Sequence, residues 1–188
     1  VNQGLIYRKA GKGTFVAQPA VTQDLQNLEG FAESIAAMGE RPGFRLIDAR
    51  FVPADHAVAG RLGSFGVGQV LRVERLFLAE DKPIAHGVAY YPEDIGKRLL
   101  QEDLNQVWVL RLLEEEMGIL IDKAYEEIGA SRANAHQAEL LEIRPGEPVL
   151  TIERVTYGVG QNPVEWGVGV CRADRFRYRL WRRRRRSG

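Results

Sequence analysis

The side chains of this 188-residue sequence that could do chemistry fall into a few settings. At the start, the β-prone runs Leu5–Arg8 and Thr14–Ala17 flank a tip rich in glycine and lysine, which predicts a β-hairpin. Gly11 and Gly13 can take the positive φ of a tight or bulged turn. Arg8, Lys9 and Lys12 lie at or beside that tip with no acid nearby, and such a cationic finger suits a phosphate backbone or a minor groove. On composition alone an ordinary surface hairpin is the simpler reading. Gly11-Lys12-Gly13-Thr14 lacks the longer frame of a nucleotide-binding P-loop. The three histidines, His56, His86 and His136, have no Cys or Asp at ligand spacing, so no metal and no cofactor is expected. The single Cys171 lies in an apolar, strand-like run, which predicts a buried, inert thiol.

Charge is distributed unevenly. Residues 1–20 carry three basic side chains and no acid, and residues 172–188 carry nine arginines against Asp174. The intervening body holds 14 basic and 24 acidic side chains, so nucleic acid would be repelled by it. Arg182–Arg186 reads as a solvated basic end, with non-specific phosphate binding as the sharper alternative. An apolar content of 45% is enough for a core. With no membrane-length apolar run, no signal peptide and one cysteine, a cytoplasmic protein is expected.

Polar Gln18–Thr22 suits a linker, and apolar spacings of three and four predict one amphipathic helix over Gln23–Met38. Gly39 closes that helix and Pro42-Gly43 turns the chain. Strands are predicted at 44–52, 69–78, 83–91, 119–130, 149–157 and 164–171. Helices are predicted at 54–62, 107–117 and 134–140. Six strands with mostly antiparallel neighbours and helices between them define an α+β domain.

Leu5-Ile-Tyr-Arg-Lys-Ala-Gly-Lys-Gly-Thr-Phe-Val-Ala resembles the wing of the winged helix-turn-helix in the GntR superfamily of bacterial transcription regulators. Downstream, Arg72-Val-Glu-Arg-Leu-Phe-Leu-Ala-Glu-Asp-Lys-Pro-Ile-Ala, Tyr90-Tyr-Pro and Ala124-Tyr-Glu-Glu-Ile-Gly-Ala-Ser-Arg-Ala follow in order. Pro145-Gly-Glu-Pro-Val-Leu, Glu153-Arg-Val-Thr-Tyr, Pro163-Val-Glu and Arg172-Ala-Asp-Arg-Phe-Arg-Tyr complete the series. Together they resemble the UTRA effector-binding domain of HutC-type GntR regulators over residues 24–179. The resemblance implies a chorismate-lyase-like fold with a central six-stranded sheet, a pocket for a small metabolite, and a homodimer. It divides the chain into a wing fragment (1–17), a linker (18–22), a UTRA domain (23–180) and a basic tail (181–188). It also implies that the chain starts inside the DNA-reading domain, so that operator DNA is a partner of the full-length protein.

The same resemblance places the effector site. Arg75 stands where these domains carry an effector-binding arginine, whose fork suits carboxylate or phosphate. Glu126 and Glu165 stand where the family turns carboxylates toward the pocket; each is alternatively a salt-bridge partner of Arg75. Tyr90 is a ligand contact or a core tyrosine. Departures from aminosugar-phosphate sensors are specific: Phe77 replaces a second arginine, Gly87 replaces a glutamate, and Gly167 and Gly169 replace hydroxyl residues. A phosphate has several charged oxygens to satisfy. These changes therefore imply a carboxylate-bearing, partly apolar or aromatic effector, and the resemblance implies a ligand-responsive transcription regulator that acts as a repressor. The alternative is a small-molecule enzyme of the same fold, although no serine, histidine and acid arrangement is recognisable.

Overall fold

The computed structural model describes residues 20–63 and 68–182 in full, and the backbone of residues 6–9 and 13–16. There, β1 (Ile6–Lys9) pairs antiparallel with β2 (Gly13–Val16), with Arg8 opposite Thr14 and Lys9 opposite Gly13. The tip residues Gly11 and Lys12, Gln18 and Pro19 of the expected linker, and Arg183–Arg186 lie outside the described residues. The chain continues through β3 (Val21–Asp24), α1 (Phe31–Ala37), β4 (Pro42–Pro53) and α2 (His56–Leu62). Next come β5 (Gln69–Ala79), β6 (Lys82–Tyr91), α3 (Glu93–Leu99), α4 (Val109–Glu115) and β7 (Ile121–Arg132). It ends with α5 (Ala135–Leu140), β8 (Pro148–Gly158), β9 (Pro163–Arg172) and β10 (Phe176–Arg179).

β4 to β9 form one six-stranded sheet in the order β4-β5-β6-β9-β8-β7, antiparallel at every pairing. These are the six segments expected from their patterning, and the molecule is the expected α+β fold. The β5–β6 turn places Glu80 and Asp81 at φ of 50° and 62°, the two positive values of a turn that matches strand twist. Neither residue is glycine, and Arg41 holds the turn from outside. Its backbone N–H donates to Glu80 Oε1 at 2.7 Å and its Nη2 reaches Asp81 Oδ2 at 2.5 Å.

Strand alternation gives the sheet two different faces. Arg75 pairs with Gly87, and Leu76 with His86, so each pair shares a face opposite to the other. On the Arg75 face, α3 and α4 cover Leu71, Val73 and Tyr91. At the other end of that face, α1, β3 and β10 supply Ile35, Val21 and Phe176 to a cluster around Ala79, Ala85 and Cys171. On the His86 face, α2 packs on Val70, Tyr90 and Trp166, and α5 on Leu76, Leu78 and Val170.

Some local expectations fail. Gln23–Met38 is not one helix: Val21–Asp24 is a strand, pairing parallel with β10, and only Phe31–Ala37 is helical. The helical spacing of Leu25 and Leu28 is overridden by a long-range pairing that buries Val21 and Gln23. The Gln23 amide then donates from Nε2 to the Glu29 carbonyl at 2.8 Å. Val21 and Thr22 therefore belong to β3 rather than to a linker. Pro42-Gly43 opens β4 instead of making a turn; at the start of a strand, proline's missing donor is tolerated. α3, β3 and β10 had no counterpart in the sequence reading.

The sheet is tightest where Gly87 faces Gly169. A Cβ on Gly169 would lie 2.7 Å from the His86 carbonyl oxygen and 3.1 Å from Gly87 Cα, both backbone atoms. A Cβ on Gly167 would meet nothing nearer than Glu165 Oε1, at 3.5 Å. Gly169→Ala is thus expected to destabilise the fold by about 1–3 kcal/mol, the cost of overpacking. Gly167→Ala should leave the melting temperature much closer to wild type. Thermal melts of both variants test this, and equal melting temperatures would refute the close approach.

Candidate functional site

Between the two clusters on the Arg75 face lies a cavity of about 100 Å³. The sheet supplies its floor through Arg75, Phe77, Gly87, Glu165, Gly167 and Gly169. Phe31 and Glu33 from α1, Phe44 from β4, and Trp108–Leu110 at the start of α4 supply its walls. Phe77 stacks obliquely on Phe31 at 4.7 Å and meets Phe44 edge-on at 5.7 Å, giving one side a continuous aromatic surface.

Arg75 is 6% exposed rather than a surface strand arginine. Its guanidinium carbon lies 4.7 Å from the centre of the Phe44 ring and 5.7 Å from that of Phe77, within cation–π range. Nη1 donates to the carbonyls of Leu104 at 3.3 Å and Val107 at 3.2 Å. Those carbonyls belong to the segment leading into α4, so Arg75 ties the cavity's cover to its floor. No carboxylate among the described residues reaches ion-pair distance of Arg75, and its Nε and Nη2 donors have no protein partner there.

The carboxylates behave differently from one another. Glu126 pairs with Arg154 on β8, accepting from Nε at 2.6 Å and from Nη2 at 2.5 Å. Arg154 also donates from Nη1 to the Glu29 carbonyl at 3.1 Å. Arg154, not Glu126, lines the cavity, and Glu126 is its anchor. Glu165 opens directly onto the cavity. Burial pushes its carboxyl above the ordinary 4.5, Arg154 and Arg75 pull it back in part, and Glu33 pushes it up further.

Tyr90 is placed away from the cavity. It stacks on Trp166 at 5.1 Å on the opposite face, and its neighbour Tyr91 points inward. Strand alternation makes this exchange unavoidable once Arg75 faces the cavity. Cys171 is fully buried and burial pushes its thiol pKa up, as suits an inert core residue. Arg154 and Trp108 were missed. The period-two relation of Arg154 to Ile152 on β8 was a usable signal for the first; nothing local marked Trp108. Two of the three histidines do converge, contrary to the sequence reading: His86 and His136 meet beside Glu74, because β6 and α5 bring together residues 50 positions apart.

A floor of antiparallel strands, helical walls and one buried arginine bound a partly open, largely apolar cavity that is the candidate site of the domain. The UTRA domain family matches residues 37–177, and the chain belongs to that family. It is 34% identical over 178 residues to the HTH-type transcriptional repressor NagR of Bacillus subtilis, covering 95% of this chain and 73% of that protein. The crystal structure of PhnF from Mycobacterium smegmatis superposes with a TM-score of 0.85 at 22% identity, covering 97% of this chain and 80% of that one. A putative transcriptional regulator from Streptomyces coelicolor gives a TM-score of 0.62 at 31% identity, covering 72% and 89%. The chain is therefore a UTRA-domain transcription regulator.

A carboxyl whose folded-state pKa lies above its unfolded value stabilises the fold below the unfolded value and loses that contribution as pH rises. Glu165→Gln is accordingly expected to melt above wild type at pH 8, with the gain shrinking as pH falls toward 4.5. Differential scanning fluorimetry across pH measures it. A gain independent of pH, or a loss at pH 8, would remove Glu165 from the desolvated site.

Proposed function

We propose that the cavity is an effector site for a small carboxylate-bearing, partly apolar or aromatic metabolite, and that its occupancy modulates DNA binding by a homodimeric repressor. The observation that carries this reading is the Arg75 guanidinium, buried against two phenylalanine rings with its Nε and Nη2 donors unspent among the described residues. A ligand carboxylate would be recognised there by paired N–H donors, and an apolar body would lie against Phe31 and Phe77. A phosphate is disfavoured by charge. Arg154 is already neutralised by Glu126, and Glu33 and Glu165 also face the cavity. Glu165, held toward its neutral form, suits donation to, or acceptance from, a ligand hydroxyl or amine.

DNA contact is assigned to the hairpin bearing Arg8, Lys9, Gly11, Lys12 and Gly13, acting with a helix-turn-helix in the full-length protein. The relatives' names as HTH-type regulators support this division of labour over a catalytic role. No described helix is long and apolar enough to cross a membrane. Because Arg75 holds the segment before α4, effector binding there would shift the population between looser and tighter covers of the cavity.

Melting the chain against urocanate and other carboxylates, aminosugar phosphates, inorganic phosphate and fatty acids tests the ligand class. A ligand at about a hundredfold over its dissociation constant adds about 2.7 kcal/mol, visible as a shifted melt. The expected result is a carboxylate hit that disappears in Arg75→Gln, whose shorter, uncharged amide lacks the guanidinium's paired donors, with circular dichroism verifying that the variant folds. A phosphosugar hit would overturn the reading of Phe77 and Gly87. A carboxylate hit retained in Arg75→Gln would move the site away from Arg75.

A further inference from the structure

On the opposite face of the same sheet, three ligand-type side chains from three elements converge. Glu74 comes from β5, His86 from the neighbouring β6, and His136 from the first turn of α5. One ligand atom from each lies within 4.8 Å of the other two. His86 Nε2 is 2.8 Å from Glu74 Oε1, and His136 Nε2 is 3.9 Å from the same oxygen. The two imidazoles meet edge to face, 86° apart, with centroids at 6.0 Å. We propose that Glu74, His86 and His136 bind a divalent transition-metal ion of the zinc class, on the sheet face opposite Arg75.

Tetrahedral coordination at the usual zinc–nitrogen and zinc–oxygen lengths separates ligand atoms by about 3.3 Å. The contacts of 2.8 and 3.9 Å straddle that value, so small side-chain rotations admit an ion. Two imidazoles and one carboxylate favour zinc, cobalt or nickel over magnesium or calcium, which prefer oxygen alone. A supporting shell is present. Glu74 Oε2 accepts from Arg72 Nη2 at 2.8 Å, leaving Oε1 to face the imidazoles. Arg72 in turn donates from Nη1 to Asp48 Oδ2 at 3.0 Å, which offsets the cation beside the site. Such outer contacts orient metal ligands. A His86–Glu74 hydrogen bond alone would not need a second imidazole at the same oxygen. Glu74 is 9% exposed, whereas the His136 side chain is 66% exposed, which leaves a path for an ion and a fourth position for water.

Titrating the metal-free chain with zinc by calorimetry, and with cobalt(II) by visible absorption, tests the site. Stoichiometry of one ion per chain is expected, with a cobalt spectrum of four-coordinate nitrogen and oxygen ligation. Changes in outer-shell groups alone cost about 10–100-fold in affinity, so His136→Ala should weaken zinc binding at least about tenfold. His136 is exposed, so this variant keeps its fold, as circular dichroism will verify. His56→Ala removes the only other histidine and should bind as wild type does. Undiminished affinity in His136→Ala, lost affinity in His56→Ala, or no saturable binding to the wild-type chain would each overturn the proposal.

Discussion

The cavity depends on how one buried cation is accommodated. A guanidinium removed from water is costly unless its charge and donors are met. For Arg75 the structure meets the charge with two aromatic faces and the Nη1 donors with two backbone carbonyls, not with a carboxylate, and leaves Nε and Nη2 without a protein partner among the described residues. The choice has a geometric consequence. Carbonyls belong to the chain itself, so satisfying Arg75 fixes where residues 104–107 must run, and α4 begins immediately afterwards. Trp108, Val109 and Leu110 are thereby delivered over the sheet as a wall. A salt bridge to a strand carboxylate would have held the arginine equally well and left that wall unattached.

The second arginine shows the opposite solution. Arg154 is met by Glu126 and by the Glu29 carbonyl, so its charge is already balanced while its side chain still borders the cavity. The two cations therefore differ in what they can offer an anion, although they lie near the same carboxylate, Glu165. Selectivity in such a cavity follows from which charges are left open more than from how many are present. A single open cation with aromatic neighbours discriminates by shape and by one anionic group.

Much of the fold was legible because the sheet strands carry their own period and are bounded by turn residues. Segments 69–78 and 83–91 illustrate it: their alternation and the polar Ala79–Lys82 connection correspond to β5, β6 and the turn between them. β3 and β10 were illegible for the complementary reason. They are four residues each, and their pairing joins positions about 150 residues apart, so no local window contains the evidence. Among site residues, Arg75, Phe77, Gly87, Glu165, Gly167 and Gly169 all border the cavity. Tyr90 and Glu126 do not, for two different reasons. Tyr90 lies one step out of phase with Arg75 across the β5–β6 pairing, an error that register alone would reveal. Glu126 is in phase but is neutralised by an arginine from the adjoining strand, which requires knowing that β7 lies beside β8.

A one-layer sheet makes its two faces mechanically inseparable. Arg75 and Glu74 are adjacent on β5, and Gly87 and His86 are adjacent on β6, so any slide or twist of one strand against the other is felt on both sides at once. The pairing of Gly87 with Gly169 limits how such motion can occur, because the backbones there already approach as closely as glycine permits. The β5–β6 pair ends at the Glu80–Asp81 turn and at Tyr90–Tyr91. The second of these ends carries both Tyr91, packed beneath α3 and α4, and Tyr90, packed beneath α2. Adjacent residues of β6 thus support helices on opposite faces of the sheet. The helices on the two faces rest on neighbouring side chains of the same few strands, so the packing of one face constrains that of the other.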